Sequence, residues 1–203
     1  QEMLPLVQDL WRGDVAHEGR FWQFPSATSC PKPLQQTVPM WVAARSPITF
    51  DYAVANDCNI MSWPLTLPFS EAVKYRTQLD EAIAKNGGTY AGRFAMMRHT
   101  SVYETASDRQ SALDATRGVL SQFGNLIMKS GEVRNGFPDP VPLESLEGNF
   151  RVEPKMLEEN LMFGAPDQVI DKLKKYQEIG VDAFIYYASM GLGLAQQQRS
   201  LQL

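Results

Sequence analysis

The stretch VPMWVAARSPITFDYAVANDCNIMSWPL, Val38 to Leu65, holds two short apolar runs with a helical pattern between them. Met40 to Ala44 shows no polar alternation, so it does not read as a strand with one wet face. Arg45-Ser46-Pro47 ends that run, and the spacing predicts a helix from about Thr49 to Asn56. Asn59 to Trp63 is a second run of the same kind, stopped at Pro64. Strands apolar on both faces and separated by a helix belong to a parallel sheet covered by helices.

The same unit recurs downstream. Ser70 is expected to cap a helix that runs to about Lys85, where Asn86-Gly87-Gly88 ends it. Arg93 to Val102 is a third apolar run, followed by a helix from about Asp108 to Met128. Lys129 to Asn160 lacks a clear period and reads as an irregular excursion out of the core. A helix then begins at Pro166, carries its acid early and its lysines late, and stops at Gly180. The last run, Asp182 to Ala188, leads through Ser189 and Gly191-Leu192-Gly193 into a Gln-rich helix. Upstream, Glu2 to Trp11 reads as the tail of a helix, as though the chain began within a fold. His17 to Phe24 reads as one extended segment, and Pro25 to Pro39 as a loop.

The totals are those of a globular protein: 203 residues, 44% of them hydrophobic, and a formal net charge of −4. No basic stripe suits nucleic acid, and the apolar runs are too short to span a bilayer. Cys30 and Cys58 cannot build a disulfide framework, and His17 and His99 are too few for a Cys/His zinc site. A cytoplasmic protein with two inert cysteines is the expectation.

In an α/β fold the chemistry gathers at the carboxyl ends of the parallel strands. That rule places Arg45, Ser46, Trp63, His99 and Ser189 on one rim. Arg45-Ser46-Pro47-Ile48-Thr49 opens a helix, so helix-end N–H groups, two hydroxyls and a guanidinium can meet an anion there. The same residues also describe an ordinary cap with a solvated arginine. Trp63 is either packing or a flat wall for a flat ligand, and His99 either a structural residue or an acid-base group. Arg98 alternates with His99 and should face the other way. Met96, Met97, Met156, Met162 and Met190 read as packing. Glu144 and Glu147 have no partner acid, and neither a G-x-S-x-G elbow nor a Walker loop occurs, which removes glycosidase, serine hydrolase and P-loop readings.

Taken in order, several segments resemble the bacterial luciferase-like flavin-dependent monooxygenases. They are Glu18-Gly19-Arg20-Phe21, Pro31 to Gln35, Pro39 to Thr49 and Ile60 to Trp63, then Arg93-Phe94 through Glu104-Thr105, Phe163 to Leu173 and Gly180 to Ile185. The resemblance implies a (β/α)8 TIM-barrel fold of which residues 1–203 supply the C-terminal part, about the last four β/α units, with residues 129–160 as an excursion after the seventh strand. It implies reduced FMN bound at the strand ends, with Ser46 and Thr49 on the phosphate, Arg45 in place of the family's acid, and Ser62 and Trp63 beside the ring system. It also implies His99 as the catalytic residue, in register with a histidine of the alkanesulfonate monooxygenases. Met97 and Ser189 depart from that subfamily, so a sulfonate substrate is not expected. The implied reaction uses reduced FMN and O2 on a small organic substrate, with a flavin reductase as source of reduced flavin and a homodimer as assembly. A deazaflavin-dependent oxidoreductase and a non-catalytic flavin-binding relative are the alternatives.

Overall fold

The structure is a computed structural model that describes residues 2–128, 132–139, 141–149, 152–188 and 191–203, the side chains of 126–128 excepted. The chain divides into two compact units, Gln1–Met40 and Trp41–Leu203.

In the first unit, α1 (Met3–Arg12) precedes an antiparallel hairpin of β1 (Val15–Glu18) and β2 (Gln23–Ala27). The single extended segment expected over His17 to Phe24 is therefore two strands and a turn. The cause is remote in sequence: the Glu2 carboxylate accepts the backbone N–H groups of Arg20, Phe21 and Trp22 at 3.1–3.3 Å and so satisfies the turn.

The second unit is built on a five-stranded sheet whose described pairings are all parallel. β3 (Trp41–Ala43) pairs with β4 (Asn59–Ser62), and β4 with β5 (Phe94–Val102). α2 (Pro47–Ala55) and α3 (Phe69–Lys85) make the crossovers. α3 begins one residue before Ser70, with Pro68 at its cap position in extended backbone. After β5 come α4 (Ala106–Met128), a small hairpin of β6 (Val133–Arg134) and β7 (Phe137–Pro138), and a 3-10 turn at Leu143–Leu146. α5 (Pro154–Asn160), β8 (Met162–Gly164), α6 (Pro166–Glu178), β9 (Ala183–Tyr187) and α7 (Leu194–Gln202) complete the chain.

The nine-residue β5 has two kinds of partner in succession. Its first part, Ala95 to His99, pairs with β9, and its end, Thr100 to Val102, pairs with β8. A three-residue strand such as β8 is too short for periodicity to reveal. Its Met162 and Phe163 are nonetheless buried. Phe163 joins Tyr103, Leu113, Leu157 and Leu161 in an apolar cluster between α4, α5 and the sheet. On α3 the buried stripe is Ala72, Tyr75, Leu79 and Ala82, a helical spacing that faces α2 and the sheet.

Candidate functional site

The ends of two strands and the middle of a third bring these residues together, since β5 runs three residues beyond His99. The backbone leaves β3 through Ala44 and Arg45, leaves β4 through Trp63, and runs through Met97 to His99 on β5. Arg45, Ser46, Thr49, Trp63 and Met97 line one cleft of about 450 Å³ with Ala43, Ala44, Met61, Glu71 and Tyr75. That volume lies within the usual range for small-molecule sites.

The Arg45 turn is held from beneath. Ser46 takes the cap position of α2 in extended backbone (φ −127°, ψ 152°) and Pro47 follows at the first helical position. The Ser46 hydroxyl does not cap the helix but lies 3.0 Å from the Thr49 hydroxyl. Arg45 Nε donates to the Tyr75 phenol oxygen at 3.3 Å, and the Tyr75 ring packs 6.2 Å from Phe50. The rest of the Arg45 fork has no protein acceptor among the described residues. Ser62 is buried, and its hydroxyl donates to Ala44 O at 2.7 Å, tying the end of β4 to the turn that carries Arg45. Glu71 adds a carboxylate to the lining, paired with Lys74 at 3.2 Å.

Behind the Trp63 wall sits an aromatic triad. The His99 ring lies 5.3 Å from Trp63 and 4.6 Å from Tyr187, and Trp63 lies 5.8 Å from Tyr187. His99 is buried, and neither ring nitrogen has a hydrogen-bond partner among the described residues; the same holds for Trp63 Nε1. Burial first, and the neighbouring Arg98 charge second, bring the imidazole pKa down to about 4. The ring is therefore neutral near pH 7, with one nitrogen able to donate and the other to accept. Arg98 faces the other way, donating to Tyr176 on α6.

Sequence reasoning passed over Tyr75, Glu71 and Tyr187. Tyr75 sits in the buried stripe of α3, where a phenol needs a partner for its oxygen, and that need was the available signal. Tyr187 lies within the last apolar run, ends β9 and pairs in register with His99. Ser189 and Met190 lie outside the described residues.

The donor set suits an anionic, flat ligand: an arginine with unengaged N–H groups, two hydroxyls at a helix start, an indole wall, and orphaned polar atoms behind it. The family model described as luciferase-like monooxygenase matches residues 1–183. The chain belongs to this family. Among its luciferase-like relatives, the oxygenase component of flavin-dependent trigonelline monooxygenase from Acinetobacter baylyi is 33% identical over 100% of this chain and 56% of its own length. An F420-dependent glucose-6-phosphate dehydrogenase from Rhodococcus hoagii is 24% identical over 93% of this chain and 53% of its own. The chain thus spans about half the length of the curated relatives it matches. In fold it is similar to the monooxygenase RslO1 from Streptomyces bottropensis, with a TM-score of 0.68 at 20% identity over 98% of this chain and 56% of that one. This luciferase-like α/β fold carries the cleft at the carboxyl ends of its parallel strands.

Proposed function

We propose that the chain is the C-terminal part of a (β/α)8 flavin-dependent monooxygenase that uses reduced FMN and O2 on a small organic substrate. The observation that carries this reading is the single cleft shared by Arg45, Ser46, Thr49 and Trp63. Arg45 offers its free N–H groups to the phosphate, with Ser46 and Thr49 adding hydroxyl donors beside the amino end of α2. Trp63 gives the ring system a flat apolar wall, and Ser62 contributes indirectly by fixing the Arg45 turn. Bound reduced flavin would supply the electrons that activate O2.

His99 then serves as an uncharged donor and acceptor, able to hold or pass a proton through Nδ1 or Nε2 without placing a second cation beside Arg98. Trp63 and Tyr187 shield it from water. A separate flavin reductase fits the naming of the Acinetobacter relative as an oxygenase component. A second reading, hydride transfer with the deazaflavin F420, is favoured by the Rhodococcus relative.

The test mixes the intact protein anaerobically with reduced FMN or reduced F420 and then admits air. The monooxygenase reading expects reduced FMN to bind and the protein to change its rate of reoxidation. Binding of reduced F420 alone, with FMN reoxidation untouched, would instead select the hydride-transfer reading.

A further inference from the structure

Arg98 is fully buried yet touches no carboxylate among the described residues. Its Nε donates to Tyr176 Oη at 2.7 Å. Its Nη1 donates to Leu65 O at 3.1 Å and Leu67 O at 2.8 Å, and Nη2 reaches Pro68 O at 3.4 Å. Asn160 at the end of α5 donates to Thr66 O at 2.9 Å, and Leu67 N–H to Pro64 O at 3.0 Å. Every carbonyl from Pro64 to Pro68 therefore accepts a hydrogen bond, three of them from one guanidinium. An ordinary surface loop would leave such carbonyls to water.

This segment joins Trp63 to α3, and both ends supply the cleft: Trp63 on one side, Glu71 and Tyr75 on the other. Within it Leu65 holds φ at +58°, the left-handed region that a non-glycine residue enters only at a cost. Something must keep the loop there, and the buried fork is placed to do it. A planar guanidinium addresses carbonyls from nitrogens set apart at fixed angles, whereas an ammonium offers all its donors from one rotatable point.

We propose that Arg98 is a positioning residue for the flavin wall: through the Leu65, Leu67 and Pro68 carbonyls it holds the Trp63–Pro68 segment and so fixes where the Trp63 indole stands. This rests on the flavin reading of the cleft. Arg98 acts on the opposite side of β5 from His99, so one strand places the wall with one residue and the imidazole with the next.

The test uses the intact protein with Arg98→Lys, which keeps the charge, and Tyr176→Phe, which keeps the guanidinium but removes one acceptor. Two readouts are taken: acrylamide quenching of Trp63 emission, isolated by difference from matched Trp63→Phe proteins, and the Kd for FMN. In Arg98→Lys the Trp63 quenching constant is expected to rise about twofold and the Kd about tenfold, with smaller shifts the same way in Tyr176→Phe. Leu65→Asn, whose side chain tolerates the left-handed region, should return both values at least halfway in the Arg98→Lys background. Wild-type Trp63 quenching in whichever variant folds, or absence of that rescue, overturns the proposal. Arg45→Ala is run in parallel. If it leaves FMN affinity intact, the flavin reading fails, while the Trp63 measurement still decides the role of Arg98.

Discussion

The His99 imidazole stands 4.6 Å from the Tyr187 ring, and the two residues are register partners on neighbouring parallel strands. Trp63 completes the triad from the next strand over, so the wall of the cleft and the buried imidazole form one packed unit. Aromatic pairs of this kind contribute about 0.5–1.5 kcal/mol beyond the area they bury. Tyr187→Phe keeps the ring and should leave stability within about 0.5 kcal/mol. Tyr187→Ala should lose about 1–3 kcal/mol in urea denaturation, since the half-buried site can partly refill with water. Equal effects of the two substitutions would mean that the phenol oxygen, not the ring contact, matters.

Acid should expose the cost of burying His99. Its folded pKa of about 4 lies below the ordinary 6.5, so between those values the unfolded chain binds the proton and the native protein does not. Stability therefore rises with pH through this window and is lost as pH falls from about 6.5 toward 4, by up to about 3 kcal/mol. The urea midpoint of the wild type should drop between pH 7 and pH 4.5 by more than that of His99→Gln. Identical slopes would show that His99 titrates normally in the native state.

Lys172 binds the excursion back to the sheet. Its ammonium donates to Leu161 O at 2.7 Å and Phe163 O at 2.9 Å, and also to Glu158 O, so it closes the carboxyl end of α5 onto β8. Burial lowers its pKa to about 8, which still leaves it charged at neutral pH. Lys172→Met keeps the aliphatic stem and strands these carbonyls, at an expected cost of about 2 kcal/mol. Hydrogen exchange should locate the loss first in α5 and β8. Uniform loosening of the whole sheet would point to a global effect instead.

The parts of this molecule written in local pattern were legible in the sequence. Strands apolar on both faces imply the parallel sheet, and the rule of strand ends groups Arg45, Ser46 and Trp63, which line one cleft. What stayed hidden depends on partners distant along the chain. Nothing near Gly19 announces that Glu2 will complete the hairpin turn. Tyr75 and Tyr187 carry the pattern of core residues, and only the fold shows one supporting Arg45 and the other facing His99. Arg98 faces away from His99 as the alternation implies, but only the fold shows its guanidinium reaching the carbonyls of the loop between β4 and α3.

The central claim is that Arg45 grips the phosphate of a flavin in the cleft, and the most direct measurement compares ligands with and without that phosphate. Affinities of the intact protein for reduced FMN and reduced riboflavin are measured anaerobically in wild type and Arg45→Ala. The account predicts that wild type prefers FMN by about 1.5–3 kcal/mol, the worth of charged hydrogen bonds, and that Arg45→Ala removes most of this preference. Equal wild-type affinity for the two ligands, or a preference for FMN that survives the loss of Arg45, would contradict it.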